Sequence, residues 1–225
     1  MNAPDSKVDL SLAGGGSAEP GRIGDWTNTW TGLKFYPLDP RPEEIDILDI
    51  AKSLGGTCRY LAHCKHYSTA EHSVLVHEMV SRPRKLEALL HDAPEEVLSD
   101  LVRPVKRALG KGNDYFALED LMWKRAIAPK FGLNPTLSDE VIRADAQICV
   151  LEKRVLRPRS QSWQLPFEEP RGLRIRCLEP NEASKVFLQT YCRLTGEHYP
   201  SLEARFDELL LEDQEAFERH QQEFA

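Results

Sequence analysis

An apolar helical stripe, Leu86, Leu89, Leu90 and Ala93, runs straight into His91, Asp92, Pro94 and Glu95. A carboxylate at the end of a buried stripe needs a partner, because taking an ionised group out of water uncompensated is costly. Neighbouring helix residues point about 100° apart, so His91 and Asp92 can meet at one point only near a helix end. Pro94 is consistent with a distorted turn there. Glu95 is four residues beyond His91, on the same face and one turn on.

Two other predicted helices carry matching side chains. Ser68, Thr69, Ala70 and Glu71 have the form of a capping box, which starts a helix at Ser68 and puts His72 on one face with Leu75, Val76 and Met79. Ser138 opens a second helix, in which Asp145 sits between Ile142 and Ile148. A single histidine on an apolar face is ordinarily a satisfied core residue. Two imidazoles and two carboxylates from three helices are a ligand set for one divalent ion, suited to Mn, Fe, Co, Ni or Zn. With coordination positions left open, such an ion acidifies water and acts as a Lewis acid on a phosphoryl oxygen. Glu95 is placed to orient that water or move its proton. Arg59, Lys106 and His63 are candidates to steady phosphate oxygens.

Composition restricts the alternatives. The chain has 225 residues, 41% hydrophobic and 29% charged, enough for one domain with tails. No apolar run approaches the roughly 20 residues of a membrane span, and the first twenty residues lack the pattern of a signal peptide. The five cysteines, at 58, 64, 149, 177 and 192, include no C-x-x-C pair and read as reduced thiols of a cytoplasmic protein. The net charge of −7 falls entirely within residues 197–225, and an acidic tail argues against a nucleic-acid-coating surface.

Along the chain, residues 1–24 contain a Gly-Gly-Gly-Ser run without apolar period and read as a disordered tail. They lack the ending and the strand of a phosphate-binding loop. Residues 26–39 alternate aromatic and β-branched side chains around Gly32, as a short hairpin or extended flap. Residues 43–54 predict a helix stopped by Gly55 and Gly56. Residues 57–67 are irregular and gather Arg59, His63, Lys65 and His66. The spacing of His63, Cys64 and His66 matches no common zinc pattern. Residues 103–111 hold four cations, Arg103, Lys106, Arg107 and Lys111, and no acid. They are either a solvated face or a set that neutralises a phosphate chain. Residues 115–131 predict a helix, with Phe116, Leu118, Leu121 and Met122 assigned to the core. Residues 157–176 form a long Pro- and Arg-rich connection. A helix follows to Leu194, and a last amphipathic helix carries Leu202, Phe206, Leu209, Leu210 and Phe217. The expected organisation is a tail at 1–24, a core at 25–157, and a C-terminal connection and helices at 158–225 packing on the core or on a second subunit.

The ordered set Cys58-Arg59-Tyr60-Leu61-Ala62-His63, Tyr67-Ser68-Thr69-Ala70-Glu71-His72, Leu89-Leu90-His91-Asp92-Ala93-Pro94-Glu95, Asp100-Leu101-Val102-Arg103-Pro104-Val105-Lys106 and Ala144-Asp145 resembles the HD-domain phosphohydrolase superfamily. Within it, the chain is similar to the YfbR/YfdR-like 5′-deoxynucleotidases, prophage-type members among them, and to the related phage dATP triphosphohydrolases. The resemblance runs from about Trp26 to about Arg157. It implies an all-α bundle, a cytoplasmic homodimer or higher homo-oligomer, and metal ligands His72, His91, Asp92 and Asp145. It further implies Glu95 and Asp100 as catalytic acids, Arg59 near the sugar and phosphate, and Lys106 and the neighbouring Arg103 on phosphate. The implied substrate is a deoxynucleotide, as monophosphate or triphosphate, with no membrane and no nucleic acid as partner. Two other readings follow from the same pattern. A guanosine tetraphosphate-type pyrophosphohydrolase tends to carry HDxxED where this chain has Glu95-Glu96. An inactive nucleotide- or partner-binding module would be expected to have lost ligands, and all four are present.

Overall fold

The computed structural model describes residues 19–108, 115–159 and 166–223, with the side chains of Arg103 and Arg107 left out. Most of the sequence read as a disordered tail, and Lys111 of the cation run, lie outside the described residues. The end of that tail is ordered: Arg22 lies on the Tyr36 ring and pairs with Asp39 at 2.8 Å and Glu44 at 2.5 Å. An expectation drawn from missing apolar period cannot register an arginine fixed by two distant acids.

A two-residue antiparallel hairpin comes first, β1 (Thr27–Asn28) against β2 (Lys34–Phe35), pairing Thr27 with Phe35 and Asn28 with Lys34. The remaining regular structure is helical: α1 (Ile47–Gly56), α2 (Thr69–Glu78), α3 (Lys85–Leu90), α4 (Glu95–Leu98), α5 (Arg103–Ala108), α6 (Tyr115–Met122), a π-turn over Trp123–Ile127, α7 (Ala128–Lys130), α8 (Asp139–Leu156), α9 (Pro180–Thr195) and α10 (Tyr199–Glu223).

Several starts follow from local chemistry. The Ser68 hydroxyl accepts from the amide of Glu71 at 3.1 Å, and that of Ser138 from the amide of Val141 at 3.4 Å. The return half of the Ser68 capping box is absent. The Glu71 carboxylate instead accepts from the backbone amides of Arg176, Cys177 and Leu178 and fastens the 157–179 connection onto α2. Helix α1 begins later than the sequence suggests. Pro42–Glu44 form a separate 3-10 turn, and the Asp46 carboxylate caps α1 through the amide of Leu48 at 2.9 Å.

The helices enclose two apolar clusters with α2 between them. One cluster gathers Leu48, Ile50 and Leu54 of α1, Ala70 and Val74 of α2, Leu89 and Leu90 of α3, Met122, Trp123, Ala126, Ile127 and Ala128, and Phe187, Leu188 and Tyr191 of α9. The other joins Leu75 and Val76 of α2 to Val141, Ala144, Ile148 and Leu151 of α8. Helix α2 is therefore buried from Thr69 to His77 on every side. The α9 residues sit in the same cluster as those of α1, so the core continues past residue 157 and includes the C-terminal helices. On α10, Phe206 is fully buried, whereas Phe217 is 60% exposed and leaves the expected stripe. Phe116, read as core, is about half exposed, and α6 faces inward at Met122; on α8, Ile142 is likewise half exposed while its neighbour Val141 is buried.

Gly55 also has a different role from a helix stop. It lies directly against α9, and a Cβ there would stand 2.7 Å from the carbonyl oxygen of Pro180 and closer still to the Ser184 hydroxyl. Gly55→Ala is expected to cost about 1–3 kcal/mol through overpacking. Gly56→Ala meets nothing within 4 Å, and is expected to be neutral or to gain up to about 1 kcal/mol from the unfolded chain's lost entropy. Urea unfolding of the two variants checks both signs.

Candidate metal centre

Helix α3 ends at Leu90, and the chain continues in tight turns: the amide of Ala93 donates to Leu90 O at 2.9 Å, that of Glu95 to Asp92 O at 2.9 Å, and that of Glu96 to Ala93 O at 3.0 Å. Steps of three residues in place of four let the adjacent His91 and Asp92 side chains point at one place. Helix α2 brings His72 to that place and α8 brings Asp145. His72 Nε2 lies 3.2 Å from Asp145 Oδ1 and 3.6 Å from Asp92 Oδ2. His91 Nε2 lies 3.2 Å from Asp92 Oδ1 and 3.9 Å from Asp145 Oδ1. Ligand atoms of His72, His91 and Asp145 all fall within 4.8 Å of one another, and among the described residues this is the one such group. Asp92 borders it, one oxygen toward each imidazole.

Both imidazoles are held by their outer nitrogen. His72 Nδ1 donates to Glu152 Oε1 at 2.7 Å, and His91 Nδ1 donates to the carbonyl oxygen of Ala88 at 2.8 Å. Each ring is thereby set to present Nε2 inward. Both Nε2 atoms are buried without a hydrogen-bond partner. A buried nitrogen with its other ring atom bonded to a carboxylate or carbonyl is the arrangement a metal-ligating histidine has, and the donor set fits a divalent ion.

The charges around the cluster are strongly coupled. Burial and Arg59 push the His72 imidazole down, but Glu152 and Asp145 outweigh them and carry it up to about 9. Burial opposes the ionisation of Asp145, yet His72, His91 and Arg59 hold its carboxyl far below the ordinary range. Burial, followed by Asp92 and Asp100, pushes Glu95 up to about 9 against Lys106 and Arg59. Glu95 Oε1 accepts from Lys106 at 3.2 Å, while Oε2 is buried and unpartnered.

The other expected residues divide. Arg59 is close, its Nη1 3.4 Å from Asp92 Oδ2 and its Nη2 3.8 Å from Glu152 Oε2, with a buried Nε lacking a partner. The charge of Asp100 acts on both Arg59 and Glu95. Lys106, expected on phosphate, is engaged by Glu95 and, at 2.7 Å, by Glu119. His63 is exposed on its loop, with no contact to the cluster among the described residues. His66 faces Gly55 O at 3.3 Å, so the His63, Cys64 and His66 set builds no metal group. The Arg103 side chain lies outside what is described. Glu96 borders a separate cleft of about 300 Å³ with Trp30, Asp49 and Lys52.

Sequence reasoning missed Glu152. It is fully buried, accepts from the hydroxyls of Tyr60 and of Tyr67 (2.9 Å for Tyr67), holds His72 and faces Arg59. It lies seven residues, two turns, beyond Asp145 on α8, and that register is the signal that could have found it.

The fold and the cluster define a mostly helical protein with a buried imidazole–carboxylate centre. No protein-family model matches the chain. It is 36% identical over 182 residues to the uncharacterized protein RCAP_rcc00048 of Rhodobacter capsulatus, covering 72% of this chain and 91% of that protein. It is 38% identical over 129 residues to the uncharacterized protein YfdR of Escherichia coli, covering 57% of this chain and 70% of that one. The chain belongs to the family these two proteins represent. No helix among the described residues is long and apolar enough to cross a membrane.

Burial works against an ionised Glu152, but Arg59 and His72 prevail and hold it down at about 2, below the ordinary 4.5. Its contribution to stability is therefore complete above pH 4.5 and lost as pH falls through about 2. Glu152→Gln is expected to cost about 3–5 kcal/mol at neutral pH, by leaving Arg59 and His72 uncompensated. It should also flatten the acid limb of stability. Thermal unfolding of both proteins across the acid range measures the two effects.

Proposed function

We propose that this protein is a metal-dependent phosphohydrolase acting on deoxynucleotides, with His72, His91, Asp92 and Asp145 as metal ligands. The observation that carries the reading is the pair of buried, unpartnered Nε2 atoms of His72 and His91, fixed from behind and facing Asp92 and Asp145. The resemblance of the ordered motifs to HD-domain phosphohydrolases supports it, as does kinship with YfdR at the level of the name. When bound, a divalent ion such as Mn, Fe, Co, Ni or Zn supplies Lewis acidity for a phosphoryl oxygen and acidifies water.

The chain's own residues take the remaining work. Lys106 occupies Glu95 Oε1, so Oε2 is the atom left to give or take a proton, in a site dry enough to keep that proton bound near neutral pH. Burial opposes the charge on Lys106, but Glu95 and Glu119 more than compensate and hold the ammonium above its ordinary range. It stays cationic beside Glu95 throughout the neutral range. Arg59 offers an unpartnered buried Nε, a donor suited to a phosphate or sugar oxygen. Asp100 adds negative charge behind Glu95 and favours its protonated form.

The substrate test is product chromatography of metal-stripped protein incubated with each dNMP, dNTP and rNTP, with Mn, Co or Zn added in turn. Nucleoside and phosphate from dNMPs identify a 5′-deoxynucleotidase. Nucleoside and intact triphosphate from dNTPs identify a triphosphohydrolase. Absence of turnover with all of them refutes the deoxynucleotide reading. Asp92→Ala is expected to abolish metal retention and turnover together. Glu95→Gln should keep the metal and lower kcat by roughly 10²–10⁴, the range of general acid–base catalysis.

Proton and metal compete for His72 Nε2. In stripped protein the apparent metal affinity is expected to rise about tenfold per pH unit, levelling off near 9, where the imidazole loses its proton. Calorimetric titration with Zn or Mn at several pH values reads this slope, and a pH-independent affinity would remove His72 from the ligand set.

A further inference from the structure

Cys58 and Cys64 have a spacing with no redox signature in the sequence, yet the fold brings their thiols together. Both are directed at one acceptor: Cys58 Sγ lies 3.6 Å and Cys64 Sγ 3.7 Å from the carbonyl oxygen of Arg59. The two thiols are near enough to act on each other electrostatically. Both are half-buried, within reach of a small oxidant.

The chain between them is a constrained loop. Its base is closed by an antiparallel bridge between Cys58 and Ser68, by the amide of Arg59 donating to Tyr67 O at 2.9 Å, and by the amide of Thr69 donating to Thr57 O at 3.0 Å. Its crown turns through Tyr60, Leu61 and Ala62 at φ of 58°, 54° and 57°. Three consecutive residues with a Cβ in the left-handed region are disfavoured unless their surroundings hold them. The anchors are the Tyr60 hydroxyl on Glu152, Arg59 between Asp92 and Glu152, and the amide of His63 donating to Tyr60 O at 3.0 Å. The same loop thus carries the arginine that reaches the candidate metal centre and the two thiols that could tie it down.

We propose that Cys58 and Cys64 are a redox-modification site: they form a reversible disulfide that locks the left-handed loop bearing Arg59. With hydrogen peroxide as oxidant, the sulfur of Cys58 attacks one peroxide oxygen and the O–O bond breaks, leaving a sulfenic acid and one water. The sulfur of Cys64 then attacks the sulfenic sulfur. The S–S bond forms, the S–O bond breaks, and the departing hydroxide takes the thiol proton as a second water. Two thiols lose two electrons and two protons, and one peroxide becomes two waters. Burial, with Cys58 beside it, pushes the Cys64 thiol up to about 11, which assigns Cys64 the second, resolving step. The competing partner is Cys177, which is near enough to act on both thiols electrostatically.

The test uses the full chain treated with hydrogen peroxide, alkylated, digested with trypsin without reduction, and mapped by mass spectrometry. Trypsin cuts after Arg59, so the disulfide appears as one linked pair of peptides. The expected product joins Cys58 to Cys64 and is reversed by dithiothreitol. It should be absent in Cys58→Ser and Cys64→Ser and retained in Cys177→Ser. Because the crosslink restrains the unfolded chain, the oxidised wild type is expected to melt a few degrees above the reduced protein, a difference that Cys64→Ser abolishes. Cys58 paired with Cys177, oxidation to sulfinic acid without a disulfide, or a disulfide that lowers the melting temperature would each overturn the proposal. If Cys58→Ser fails to fold, the loss of the linked pair in Cys64→Ser decides the matter. Neither readout uses turnover, so the result is separate from the nucleotide reading.

Discussion

The burial of α2 constrains the rest of the molecule. Its buried stretch, Thr-Ala-Glu-His-Ser-Val-Leu-Val-His, is polar for an enclosed helix, and a charged or imidazole group taken from water is costly unless the elements around it compensate it. Glu71 is answered by three amides of the 176–178 segment and His72 by Glu152, while the Nδ1–H of His77 reaches Val74 O. After α8, residues 176–178 supply three of these partners. The buried polar atoms left without a partner include the inward nitrogens of His72 and His91, Arg59 Nε and Glu95 Oε2 at the candidate centre, and also the Thr69 and Ser73 hydroxyls of α2.

The candidate centre has an electrostatic logic. Asp92, Glu95, Asp100, Asp145 and Glu152 crowd around two imidazoles, Arg59 and Lys106. The neighbouring charges pull these groups in opposite directions: His72 and Glu95 are carried up, while Asp145 and Glu152 are held down. Under the metal reading proposed above, protons held in this way are the ones a cation would displace. Lys106 and Arg59 each touch carboxylates on two sides, so they orient the acids as well as offsetting their charge.

The sequence made part of this visible. The caps at Ser68 and Ser138 are local and were readable from a few residues. His72, His91, Asp92 and Asp145 stood out because each interrupts or ends an apolar run, and the structure gathers all four. Glu152 did not stand out, because Glu-Lys-Arg near a helix end has the pattern of a solvated turn. Glu119 was hidden in the same way beside Asp120. Phe116 and Phe217 were assigned inward because they are apolar, and the helical register turns each outward. Gly55 looked like a stop signal, although its small size serves the approach of α9, a helix more than a hundred residues away.

The sequence by itself determined the helical character of the chain, the starts of α2 and α8, and the identity of the side chains that form the centre. These depend on periodicity and capping within a single helical turn or two, where chain connectivity fixes the neighbours. Only the tertiary structure decided that Glu152 stands behind His72, that Lys106 is shared by two acids, that Cys58 and Cys64 face one carbonyl, and that α9 belongs to the core. Each of these depends on which face of one element meets another, and that is settled by the packing of the whole molecule, in which a long-range contact forms only if all its competitors are less well buried.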